Sequence, residues 1–245
     1  MALVLRGVAE NSAANGADVT VTHPGGVAAG DVVYFAYAIG DNDNVDHNMA
    51  MVTAGYTELA DLFVQRAGTP DDSDLGVYRK IMGGTPDSTA VGTGLGGTDA
   101  SVAAVEQVWT GADQTTPEDA TTTTGTSLDA TQSPAIVTAT ANAIVLTIVG
   151  ATLQDTTVTA PTGYSDQVDR DQLDTTNVTL GMASKLVASP GTETPGAWTT
   201  WTSGAACMAT VAIMPAPDVG HPAWARWGGV KHMGGRRTGA SVGMW

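Results

Sequence analysis

Short apolar runs alternate along the chain with clusters of Gly, Pro, Asp and Asn, a pattern of strands and turns with no sustained helical period. Seven such runs in the first half predict strands: Val4 to Val8, Val19 to Thr22, Val32 to Ile39, Tyr56 to Phe63, Leu75 to Ile81, Ser88 to Thr93, and Val102 to Trp109. Segments 68–74 (GTPDDSD) and 83–88 (GGTPDS) carry the turn chemistry between them.

The second half repeats the first. The run at 31–40 (DVVYFAYAIG) matches 142–150 (NAIVLTIVG), and Gly55-Tyr56-Thr57 matches Gly163-Tyr164-Ser165. Leu75 to Lys80 matches Leu180 to Lys185, and Val102 to Thr110 parallels Cys207 to Pro215. The offsets are 110, 108, 105 and 105, in one order along the chain, which reads as a duplication. The expected fold is all-β: a duplicated β-sandwich, jelly-roll or Ig-like, with an irregular C-terminal arm. Residues 1–113 form the first repeat, 114–217 the second, and 218–245 the arm. About seven strands in roughly 105 residues is enough for a sandwich of its own. A single composite sandwich drawing strands from both halves is equally open. The Thr-, Asp- and Gly-rich stretch 111–133 reads as a linker plus an edge strand.

Composition sharpens this picture. Aromatic residues are 5% of the chain and charged residues 14%, so Ala, Val and Thr carry much of the core and long amphipathic helices are disfavoured. The formal charge is −15. Residues 1–218 hold all 25 acidic and 6 of the 10 basic residues, a net −19. Such a body repels phosphate backbones, so no nucleic-acid partner is expected. No run approaches the ~20 apolar residues of a membrane span, and Met1 to Arg6 carries no signal-peptide pattern, so neither membrane nor export is expected. Cys207, the sole cysteine, sits among apolar neighbours and reads as a buried side chain.

Residues 219–245 differ in kind. They carry four basic residues and no acidic ones, seven glycines, and three of the six tryptophans. A Gly-rich, basic, Trp-bearing arm is explained by docking onto a partner, with Trp224, Arg226, Trp227, Lys231, His232, Arg236, Arg237 and Trp245 as its contact residues.

Enzyme motifs match by letter alone. Gly92-Thr-Gly94-Leu-Gly96-Gly97 satisfies GxGxxG but needs a helix after it, where the pattern predicts a strand. Gly239-Ala-Ser241-Val-Gly243 satisfies GxSxG, yet only two residues follow, leaving no Asp or His downstream. No catalytic residues are assigned, and no cofactor other than Ca²⁺. Alternating oxygen ligands at Asp41, Asp43 and Asp46 suit such a hard cation, with His47 next in the run and the acidic turn 71–74 able to contribute if the loops adjoin. The competing reading is that Asp and Asn favour turns by bonding their own backbone. Trp198 and Trp201, three apart, face opposite sides of a strand, so that one packs inward and the other offers a platform for stacking a sugar ring.

The Gly-Asp plus apolar strand at 30–39, the turn at 55–57, the VYRK strand at 77–80, the strand ending VWTGAD at 108–113 and the Thr-rich bridge resemble a family of bacteriophage virion proteins with duplicated β-sandwich repeats. The likeness spans most of 15–216, and Arg226 to Met233 is similar to C-terminal tails of small phage structural proteins. The resemblance implies a non-enzymatic homo-oligomer, assembled in the host cytoplasm into the virion as a capsid decoration, neck or tail component. Its partners would be capsid, neck or tail subunits and copies of itself. The alternative function is a carbohydrate-binding β-sandwich used for adhesion.

Overall fold

The computed structural model describes residues 1–66, 72–95, 97, 100–128, 130–152, 157–173, 176–200 and 204–217. The described residues form fourteen strands. The first seven are β1 (Val4–Ala14), β2 (Val19–Thr22), β3 (Val32–Asp41), β4 (Thr57–Gln65), β5 (Asp72–Ile81), β6 (Thr89–Gly92) and β7 (Ser101–Thr110). The second seven are β8 (Thr123–Ser127), β9 (Ile136–Thr138), β10 (Ala143–Thr152), β11 (Ser165–Gln172), β12 (Val178–Val187), β13 (Gly191–Glu193) and β14 (Ala206–Ile213).

The duplication is complete at the level of topology. The first repeat builds a five-stranded sheet, β1-β7-β3-β5-β4, and a two-stranded one, β2-β6; the second builds β8-β14-β10-β12-β11 and β9-β13. Within each repeat the first strand pairs with the seventh, the second with the sixth and the third with the fifth, all antiparallel. That nesting is one long hairpin rolled over on itself, the pattern of a jelly roll.

The two five-stranded sheets face each other across one core. It takes Val32, Tyr34, Ala36, Ala38, Leu75 and Val105 from the first repeat, and Ile144, Leu146, Ile148, Leu180, Met182 and Val211 from the second. Each small sheet then covers the outer face of its own large sheet. Val33, Phe35, Tyr37 and Ile39 pack outward under Val19, Val21 and Ala90 in one repeat; Ile136 packs on Val145 and Ala212 in the other. The result is four layers, with β3 and β10 buried along their whole length because both their faces are covered. Contacts between the repeats are reciprocal: β1 lies on β11 and β8 on β4, while β7 lies on β12 and β14 on β5. The repeats therefore pack as an isologous pair held in one chain.

Few aromatic side chains enter this interface, and the sheets come close. A Cβ on Gly150 would sit 2.8 Å from Ala38 Cβ, and one on Gly40 would sit 2.7 Å from Thr152 Cγ2. The buried Cys207 thiol donates to Ser73 O across the interface at 3.2 Å, and burial pushes its pKa up.

One alignment needs correction. The offset of 105 for the last strand puts Val102, on an outer face, level with Cys207 in the shared core. Pairing shows the true equivalence: Val105 stands opposite Ala36, and Val211 opposite Leu146, an offset of 106. A one-residue slip in a strand exchanges its faces.

Candidate functional site

The outer face of the first large sheet ends in carboxylates. Asp41 and Asp72 are the terminal cross-strand pair of the β3–β5 ladder, and Asp74 lies two residues along β5 on the same face. All three are fully buried. The loop 42–51 folds over them, anchored where Ala50 N–H donates to the Tyr37 hydroxyl at 2.7 Å and that hydroxyl donates to Ala50 O at 2.8 Å. The loop brings His47 inward: its backbone N–H donates to Asp74 Oδ1 at 3.0 Å, and its Nε2 lies 2.7 Å from Asp41 Oδ2 and 3.5 Å from Asp43 Oδ2.

The carboxylates lack donors. Neither oxygen of Asp72, nor Oδ2 of Asp74, receives a hydrogen bond. Burial foremost, then the facing Asp41 carboxyl, pushes the Asp72 pKa up to about 9. Burial, with Asp41 and Asp46 adding repulsion against the His47 N–H, pushes Asp74 up to about 8. Asp61, on the neighbouring strand β4, is raised by burial and by Glu58 and Asp46.

Of the residues expected to hold a cation, the structure brings Asp41 and Asp43 together with His47. Asp46 is exposed on the loop and outside that group. Asp72 and Asp74 come from the acidic turn; Asp71 lies outside the described residues.

A buried His–Glu pair was not foreseen. His23 Nδ1 lies 2.9 Å and 3.0 Å from the two carboxylate oxygens of Glu106, in the layer between β2 and β7. Burial raises the Glu106 pKa and His23 pulls it back down. The signal available was a lone Glu inside the apolar run of 102–109.

Trp198 is not a sugar platform. It is 2% exposed and packs under Val149, Val158 and Met208, filling space left by Gly181, whose Cβ would sit 2.9 Å from the indole. Its role is core packing, and Trp201 lies outside the described residues. Of the segment after the Gly-rich run 92–97, residues Ser101–Thr110 form strand β7, which presents no helix N-terminus to a pyrophosphate. Here the chain passes its own backbone closely: a Cβ on Gly94 would sit 2.1 Å from Gly16 O.

The described chain ends beside its own beginning. Met1 donates its terminal amine to Ala216 O at 2.7 Å, and Ala216 N–H donates to Gly111 O at 2.7 Å. Met1, Leu3, Ala141, Leu186, Pro215 and Pro217 line an open cleft of about 520 Å³ at this end. All eight predicted contact residues of the arm (Trp224, Arg226, Trp227, Lys231, His232, Arg236, Arg237 and Trp245) lie outside the described residues.

No family model, curated protein or solved structure matches the chain. The fold defines its class: an all-β protein of duplicated jelly-roll topology.

Proposed function

We propose that the chain is a non-enzymatic structural component of a bacteriophage virion, a capsid decoration or cement protein or a neck or tail subunit, attached through residues 218–245. The observation that carries this reading is the division of charge. Residues 1–218, with a net charge of −19, lead directly into residues 219–245, with four basic residues, no acidic ones and three tryptophans. Basic charge supplies attraction to an acidic capsid, tail or neighbouring subunit, and tryptophan supplies buried area once docked. The resemblance in the repeats and in Arg226 to Met233 points the same way.

The body suits display. Four closed layers spend their apolar faces internally, and the net charge keeps many copies apart before assembly. Two buried polar pairs serve internal contacts: His23 with Glu106, and Tyr34 with Glu118 at 3.1 Å. The carbohydrate-binding reading loses Trp198, its only described platform.

Deletion of residues 218–245 tests the proposal. The truncated body should fold with an unchanged circular-dichroism spectrum and fail to enter particles in a complementation assay. Incorporation at the full-length level would overturn the reading.

A further inference from the structure

We propose that Asp41, Asp43 and Asp72 form a divalent-cation site of the oxygen-ligated, Ca²⁺ class at the end of the first large sheet, with His47 as the outer partner that orients Asp41. It is a property of the body and independent of how the arm attaches.

Unsatisfied acceptors are the first observation. Asp72 is fully buried with both carboxylate oxygens lacking a donor, and it faces Asp41 across the last rung of the ladder. Like charges directly opposite each other destabilise a sheet, and a buried carboxylate without a partner is among the costliest groups a fold carries. A cation between them relieves both penalties. Asp74 adds a third buried carboxylate on the same face, with Oδ2 also lacking a donor.

Spacing is the second. The ligand atoms of Asp41 and Asp43, with His47 Nε2 beside them, lie within 4.8 Å of one another; Asp72 stands outside that group and faces Asp41 across the ladder. Oxygens at ~2.4 Å from a Ca²⁺ ion span up to about 4.8 Å across it. The donors are mainly carboxylate oxygens, which favours a hard cation over Zn²⁺. Ligating carboxylates are themselves held by outer hydrogen bonds, the part His47 Nε2 plays toward Asp41 Oδ2 at 2.7 Å.

The second repeat is the built-in control. By the register of the β10–β12 ladder, Asp41, Asp72 and Asp74 correspond to Ala151, Thr179 and Gly181, and the same ladder forms there without a carboxylate. The strand ends therefore do not require these acids. In the first repeat the loop 42–51 folds over these acids, and a bound ion would pin it to the sheet.

The test is calorimetric titration and thermal melting of the full-length protein, stripped with EDTA and then given Ca²⁺, Mg²⁺, Mn²⁺ or Zn²⁺ alone. Ca²⁺ should bind at one site and raise Tm. Asp72→Asn should weaken it by at least the ~10–100-fold that loss of an outer partner costs. Asp43→Asn, on an exposed loop position where folding is not at stake, should weaken it as well. His47→Gln should weaken it less than either. An unchanged Tm with Ca²⁺, or Ca²⁺ binding indifferent to both Asp substitutions, overturns the site. Tight Zn²⁺ binding that depends on His47 with no response to Ca²⁺ overturns the oxygen-ligated assignment.

Discussion

The Lys80 ammonium lies 5.3 Å from the centroid of the Tyr56 ring, and the second repeat reproduces the pair in Lys185 and Tyr164 at 5.8 Å. Each lysine also pairs with an acid on the following turn or strand, Lys80 with Asp87 and Lys185 with Glu193. Each tyrosine follows a glycine at positive φ, Gly55 at 86° and Gly163 at 87°. These triads tie the turn before the fourth strand of each repeat to the end of the fifth. Lys80 is the more enclosed, with its side chain 14% exposed against 34% for Lys185. Lys80→Met should therefore cost about 1–2 kcal/mol and Lys185→Met about 1 kcal/mol or less in urea denaturation. Equal costs, or the reverse order, would contradict this account of the pair.

Glycine at the sheet interface sets how closely the repeats approach. Gly150→Val should destabilise by about 1–3 kcal/mol through overpacking against Ala38 and Leu75. Gly83→Ala, where an added Cβ meets nothing within 4 Å, should change stability by less than about 0.5 kcal/mol. Chemical denaturation of the two variants beside the parent distinguishes them.

His23 and Glu106 should behave as a coupled unit. Glu106→Ala leaves the imidazole in a dry layer and should cost about 3–5 kcal/mol. Replacing both by leucine removes the buried polar atoms together and should cost much less than the sum of the single changes. A double-mutant cycle reads the coupling, and additive losses would contradict it.

Asp72 and Asp74 give the metal-free protein a pH dependence of defined sign. Their folded pKa values, about 9 and about 8, exceed the ~3.9 of an unfolded aspartate, so the folded state holds protons the unfolded state has released. Their contribution to stability is full below about pH 4 and is lost as pH rises through 8 to 9, each group changing it by up to ~1.4 kcal/mol per pH unit. Urea midpoints in EDTA should fall between pH 5 and pH 9, and Asp72→Asn should flatten that fall and raise the midpoint at pH 8. A slope unaffected by Asp72→Asn would contradict the assignment.

Much of the fold was readable because turn chemistry and β-rich runs coincide. All seven runs in the first half are strands, and β2 begins and ends where the pattern places it. β1 runs on to Ala14, beyond the predicted Val8, because Glu10, Asn11 and Ser12 break the apolar alternation on an edge strand whose pairing with β7 continues regardless. How the halves pack was not readable: side chains facing the other repeat and those facing the small sheet are equally apolar. Tyr34 and Phe35 sit on opposite faces with nothing in their chemistry to say which is which. The cation cluster was half legible. Asp41 and Asp43 stand in one acidic run, but Asp72 joins them only through the register of β5, which no local pattern encodes. Trp198 was legible as an aromatic residue near a strand, while its burial depends on Gly181 of β12, seventeen residues earlier.

Attachment through the arm is the central claim, and imaging assembled particles by cryo-electron microscopy tests it most directly. The account predicts density for a four-layer β body on the particle surface, with residues 218–245 threaded into a capsid, neck or tail neighbour and Trp224, Trp227 and Trp245 buried there. Particles that lack the chain, or that hold it by the β body with the arm making no contact, would contradict it.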